Sequence, residues 1–138
     1  MSTFQFELHD ISDFPIVRIS VNGLPAGYTR TWVPEMDALV QRGDPFVLVL
    51  VDGHGEDSPQ DRKSKAQWIK VNKGAFAASC RGFVSVEPSL AKRLALRAQG
   101  AIIARTFGLN FVAARDLAEA ETAARRLLAG EVDVDGGE

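Results

Sequence analysis

Phe46-Val47-Leu48-Val49-Leu50-Val51 sets six apolar side chains in succession without a polar interruption. A strand with one wet face alternates, whereas an unbroken apolar run of this length between turn formers belongs to a strand covered on both faces. Gly43-Asp44-Pro45 bounds the run on one side and the polar stretch Asp52-Gly-His-Gly-Glu-Asp-Ser58 on the other. The hexapeptide therefore reads as the central strand of a sheet flanked by helices.

Toward the N-terminus, Trp32, Met36, Leu39 and Val40 recur at spacings of three and four, which predicts a helix from about Pro34 to Arg42. Ile16, Val17, Ile19 and Val21 predict a strand entered at Pro15, and Phe4, Phe6 and Leu8 alternate with Gln5, Glu7 and His9 as in an edge strand. These two strands predict an opening hairpin.

Toward the C-terminus, Ser58-Pro59-Gln60-Asp61 joins an N-cap, a proline at the first helical position and an acid in the first turn. A helix should run from there to about Cys80 with Ala66, Ile69, Phe76 and Cys80 inward, although Gly74 costs it about 1 kcal/mol relative to alanine. Phe83–Val86 predicts a strand and Leu90, Leu94, Ala98, Ala101 and Ile102 the inward pattern of a helix ending near Phe107-Gly108. Asn110–Ala113 predicts a last strand. Asp116 and Glu119 form a capping pair ahead of Leu117, Ala120, Ala124, Leu127 and Leu128, in a helix ending at Gly130.

The expected fold is α/β: a mixed five-stranded sheet with an opening hairpin and four flanking helices. Residues 1–130 form one domain, the size at which a single core is usual, and residues 131–138 form an acidic tail too polar to bury and expected to be mobile. The longest apolar run is far short of the ~20 residues that span a bilayer, and the opening residues carry no basic-then-apolar export pattern. One cysteine and two histidines give neither an internal disulfide nor a typical structural zinc site, so no metal and no cofactor is expected, and a cytoplasmic setting follows.

The order of elements resembles the STAS domain, the anti-sigma factor antagonist-like fold. The residues that carry the likeness are the apolar strand ending in Asp52, the helix entered at Ser58, the Phe83-Val-Ser-Val86 strand, and the Phe111-Val-Ala-Ala-Arg-Asp116-Leu117-Ala-Glu-Ala120 passage from last strand to last helix. The resemblance covers roughly residues 4–129 and implies a regulatory domain. In members that act as switches, an aspartate at this strand end is followed closely by a phosphorylated Ser or Thr, which would correspond to Asp52 and Ser58. The family's Asp-Ser-Ser-Gly or Asp-Thr-Ser-Gly run is here Asp52-Gly53-His54-Gly55-Glu56-Asp57-Ser58, closer to a divergent branch of the fold.

Charge is unevenly spread. Net charge is −2, but residues 58–106 hold ten Lys or Arg against only Asp61 and Glu87, and the remainder holds six bases against sixteen acids. Lys63, Gln67 and Lys70 share a stripe of one predicted helix, and Arg93 and Arg97 share one on the next. Such a surface steers toward an acidic partner. The low pI of about 5.7 and the lack of a nucleic-acid motif speak against nucleic acid.

Ligands of open sheets favour the crevice beyond the carboxyl ends of the strands, which makes Asp52, His54, Ser58 and Arg62 the candidate cluster. Arg62 with the amides of the helix start would hold a phosphate or carboxylate. Lys65 and Trp68, one turn further, extend it toward a partner. The plainer alternative is that Ser58 caps its helix, Asp52 accepts turn amides and His54 is exposed. Ser58, His54 and Asp52 also supply the residue types of a hydrolytic triad, but a glycine-bearing loop seldom fixes one, so no catalytic residue is assigned.

The expected function is a non-catalytic interaction or regulatory module that binds a protein partner or a small anion, with homodimerisation compatible and no membrane partner. The alternative is a small-molecule-binding protein or enzyme using the 52–62 region. A deep pocket at the sheet edge would favour the second, a shallow apolar patch flanked by Lys63, Lys65, Lys70 and Trp68 the first.

Overall fold

The computed structural model describes residues 5–52 and 57–131. Its elements are β1 (His9–Asp10), β2 (Ile16–Ile19), α1 (Thr29–Arg42), β3 (Phe46–Leu50), α2 (Pro59–Val71), α3 (Lys73–Ser79), β4 (Cys80–Val86), α4 (Leu90–Phe107), β5 (Phe111–Ala114) and α5 (Leu117–Leu128). The five strands lie side by side in chain order, β1 antiparallel to β2 and the others parallel. The apolar hexapeptide is the middle strand, and Phe46, Val47 and Val49 are fully excluded from solvent.

A sheet that grows in one direction through right-handed crossovers keeps its connecting helices on one face. Here α1, α2, α3 and α4 share that face, and α5 alone covers the other. On the α5 side, Ala120, Ala123, Ala124 and Leu127 lie on Val47, Val49, Val84, Val86 and Val112, small side chains letting the helix sit close to a β-branched surface. On the opposite side, parallel register aligns Val17, Leu48, Phe83 and Phe111 in one row and Ile19, Leu50, Ser85 and Ala113 in the next.

Four expectations change. Residues 5–8 are not a strand, and only His9–Asp10 pairs with β2. The amides of Glu7, Leu8 and His9 donate instead to the Glu35 carboxylate, at 2.7–3.2 Å, so a side chain takes the place of a strand neighbour. The first helix begins at Thr29 rather than Pro34, because Asp61 of another helix accepts from the Gly27 and Thr29 amides that its start leaves unpaired. Pro34 then lies exposed inside the helix.

The helix expected from Ser58 to Cys80 divides into α2 and α3, giving five helices rather than four. Asn72 bends the chain at φ −104°, ψ 17°, its amide side chain turned back onto the Trp68 carbonyl. The bend drives Phe76 inward among Phe46, Trp68 and Phe83. Cys80 is consequently the buried first residue of β4, its thiol pushed up to about 12 by burial.

The last change concerns α4. Leu90, Leu94, Ala98, Ala101 and Ile102, expected inside, are exposed, and Leu96 and Gly100 face the sheet instead. A Cβ at position 100 would collide with the Phe111 ring, so that glycine sets how closely α4 approaches β5. The helix is apolar around most of its circumference, and periodicity alone has no basis for choosing its inner face. The tail expected over 131–138 lies, beyond Glu131, outside the described residues.

Candidate functional site

Asp52 stands where the sequence placed it, at the end of β3, with its carboxylate already occupied. Ser20 Oγ donates at 2.6 Å, the Val21 amide at 3.0 Å and the Asn22 amide at 3.1 Å. Burial pushes this carboxyl up, but the three donors overcome it and hold it below its ordinary value. Asp52 thus ties the end of β2 to the end of β3. His54 lies outside the described residues, and Arg62 is exposed on α2.

Ser58 caps α2, accepting from the Asp61 amide at 3.1 Å while its hydroxyl donates to the Asp61 carboxylate at 2.8 Å. Asp61 is buried and also receives Thr29 Oγ1 at 2.6 Å and the Gly27 amide at 2.8 Å. The Thr29 hydroxyl, followed by the Gly27 amide, holds its carboxyl near 2 against an ordinary 3.8. A lowered carboxylate pKa contributes stability that is complete above the ordinary value and disappears as pH falls through the folded value. Acid titration of unfolding free energy is therefore expected to decline between 3.8 and about 2, with that part of the slope absent in Asp61→Asn. An unchanged slope in the variant would refute the assignment.

Lys65 and Trp68 sit differently from the expected exposed patch. Lys65 Nζ donates to Tyr28 Oη and to Asp57 Oδ2, both at 3.0 Å, and lies 5.7 Å from the Trp32 ring centre. Trp68 is buried, donates Nε1–H to Asp37 at 2.8 Å, and packs edge-on against Trp32 and Phe76. As an interior ring it cannot anchor a partner from the surface, because α2 rolls Trp68 rather than Ala66 toward the sheet.

The main concavity lies behind these residues. A half-open cavity of about 410 Å³ lies between the sheet and the helical layer. Its floor is Ile19, Val21, Leu48, Leu50, Phe83 and Phe111 from four strands and the segment after β2. Trp32 of α1 and Phe76 of α3 close one side, Leu96 and Gly100 of α4 the other. Lys65, Ala66 and Ile69 of α2 and Gln99 of α4 form its rim. α4 packs on β5 rather than against α2 and α3, which leaves the gap between those helices unfilled. A wider hollow of about 470 Å³ along residues 6–12 is walled by one stretch of chain and cannot surround a ligand.

Two polar groups interrupt this apolar wall. His9 shares its sheet face with its partner Ile19, and its Nδ1 lies 2.7 Å from Glu35 Oε1. Burial pushes the Glu35 carboxyl up, while the His9 ring and three backbone amides outweigh that and leave it lowered. An ionised Glu35 fixes the proton on Nδ1 and turns Nε2 away. His9 and Ser85 both line the cavity, and the buried His9 Nε2 and Ser85 hydroxyl have no hydrogen-bond partner among the described residues. An unsatisfied buried polar group costs about 1–3 kcal/mol, a cost that a bound molecule with a matching group removes.

Serine, histidine and carboxylate are present here as in a hydrolase, but their placement differs. His9 on β1 and Ser85 on β4 are three strand spacings apart, about 14 Å between backbones at ~4.8 Å per strand. The imidazole therefore cannot take the serine proton, and the two groups act as separate hydrogen-bonding points. Among the described residues no cluster of His, Cys, Asp or Glu is suited to a metal ion, and no helix is long and apolar enough to cross a membrane.

Of the five residues singled out from the sequence that lie among the described residues, Lys65 alone lines the cavity. Glu35 and Ser85 carried weak signals, one a glutamate on the apolar stripe of a helix and the other a serine inside an apolar strand, and His9 carried none. No family model, curated protein or solved structure matches this chain.

Proposed function

We propose that this chain is a non-catalytic binding protein for a small, mainly apolar molecule bearing a hydroxyl or carboxyl group. The cavity between the sheet and α1–α4 carries the reading, with two buried polar atoms left for a ligand in an otherwise hydrocarbon wall. A cavity of about 150 Å³ holds benzene, so this one has room for roughly two to three rings or a folded acyl chain. His9 Nε2 accepts from a ligand hydroxyl or carboxyl O–H.

The reading takes up the small-molecule alternative rather than a shallow partner-binding patch, since Trp68 is interior. A divergent STAS-like regulatory domain remains compatible, its support being the opening hairpin and the alternation of helices and strands. In that setting, ligand occupancy would govern the posture of α4 and so what the domain presents to a partner.

The test is titration with long-chain fatty acids and alcohols, followed by quenching of Trp32 and by thermal unfolding. Ser85→Ala is expected to stabilise the free protein by about 1 kcal/mol, about 3–4 °C for a domain this size, while weakening a bound ligand about tenfold. Lower stability of the free variant, or unchanged ligand affinity, would remove Ser85 from the site.

A further inference from the structure

The outer face of α4 has the composition of an inner one. Leu90, Leu94 and Ile102 are 60%, 54% and 58% exposed, and Ala91, Ala95, Ala98 and Ala101 are exposed around them. A helix apolar on both faces calls for cover on both. Beside it, α2 ends in Val71, 75% exposed. The bases of this layer are exposed with them: Lys92 and Arg105 on α4, Lys63 and Lys70 on α2, Lys73 on α3. Of the two acids between Ser58 and Arg105, Asp61 is buried in its network and Glu87 is half-buried, its carboxylate accepting from the Ser89 amide at 3.0 Å. The surface is thus apolar and cationic together, without an exposed acid from Ser58 to Arg105.

We propose that this layer seats the protein on an anionic lipid bilayer, with the α4 leucines and Ile102 in the interface and the flanking bases on lipid phosphates. Charge decides the occupant. A second copy joined through the same face would set these bases against one another with no acid to answer them. Pairing with the acidic surface of another copy would be head-to-tail and would not close into a dimer. An anionic lipid surface satisfies the apolar stripe and the bases at once.

The seat also orients the cavity. Ala66 and Ile69 on α2 and Gln99 on α4 form the rim between those two helices, so docking turns the mouth toward the lipid. The ligand then enters from the bilayer, as an acyl-chain molecule does. This second step rests on the reading of the cavity as an apolar-ligand site; docking itself does not.

Full-length protein is sedimented with vesicles of phosphatidylcholine alone and of phosphatidylcholine mixed equally with phosphatidylglycerol. Binding is expected for the mixed vesicles alone. It should fall about tenfold or more in Leu94→Asp/Ile102→Asp and in Lys92→Glu/Arg105→Glu, all exposed positions, with folding checked by circular dichroism. It should also fall as salt rises from about 0.1 M to about 1 M and the screening length shrinks from about 10 to about 3 Å. No binding to mixed vesicles, or a solution dimer that Leu94→Asp dissociates, overturns docking.

A fluorescent fatty acid is then offered both free in solution and embedded in the vesicles. Uptake from mixed vesicles that is lost in Lys92→Glu/Arg105→Glu supports entry from the membrane. Uptake from solution but not from docked vesicles overturns entry while leaving the cavity a binding site, and uptake from neither overturns the cavity reading with docking intact.

Discussion

Glu35→Ala is expected to lower unfolding free energy by about 3–5 kcal/mol, the range for removing one partner of a buried charged network. The carboxylate is 1% exposed, and it receives three backbone amides and the His9 ring. Alanine leaves those donors facing a void, and because they belong to residues 7–9 the whole entry to the sheet loses its attachment to α1. Hydrogen exchange at the Glu7, Leu8 and His9 amides should accelerate well beyond that of β3. Ligand affinity should fall as well, since the His9 ring loses the partner at Nδ1 that orients its Nε2. Glu35→Gln, which keeps one acceptor, should lose less. A Glu35→Ala protein within about 1 kcal/mol of the parent would show that the network is incidental.

Phe76→Ala is expected to cost about 3–5 kcal/mol, the usual penalty for removing a buried ring without collapse around it. Phe76 is 1% exposed, with the Trp68 ring centre at 5.3 Å, Phe83 at 5.8 Å and Phe46 at 6.5 Å. It is also part of the cavity wall, so its loss enlarges the space available to a ligand. Denaturant titration measures the cost. Calorimetry with a short and a bulkier fatty acid measures the second effect: preference should move toward the bulkier molecule. Phe76→Leu, which retains most of the volume, should move it little. A destabilised Phe76→Ala protein with unchanged ligand preference would place the ligand elsewhere.

Much of the fold was legible because it depends on neighbours in sequence. The unbroken apolar run of β3, the Ser58 cap with Pro59 behind it, and the Asp116–Glu119 pair are local signals, and each element begins where it was read. The Asp116 side chain accepts from the Glu119 amide at 2.8 Å, and Glu119 reaches back to the Arg115 amide at 3.0 Å. Candidate residues were less legible. The 52–62 region was chosen because strand ends favour ligands, but Asp52 and Ser58 turn out to spend their hydrogen bonds on the chain itself. A polar residue at a strand end announces its type and not its vacancy.

What the chain settles by itself is the kind and order of most of its elements, since propensity, capping and apolar period act over a few residues. Tertiary structure alone decided three things that join distant positions. Asp61 caps α1 across 32 residues, Glu35 substitutes for a strand neighbour of residues 7–9, and α4 turns Gly100 rather than its leucines toward Phe111. The physical reason is common to all three: a buried hydrogen bond or close packing is governed by distance in space, which local sequence leaves free. The cavity follows from the third choice, because a helix seated on β5 at its glycine leaves room over Phe83 and Ser85 that no local pattern foretells.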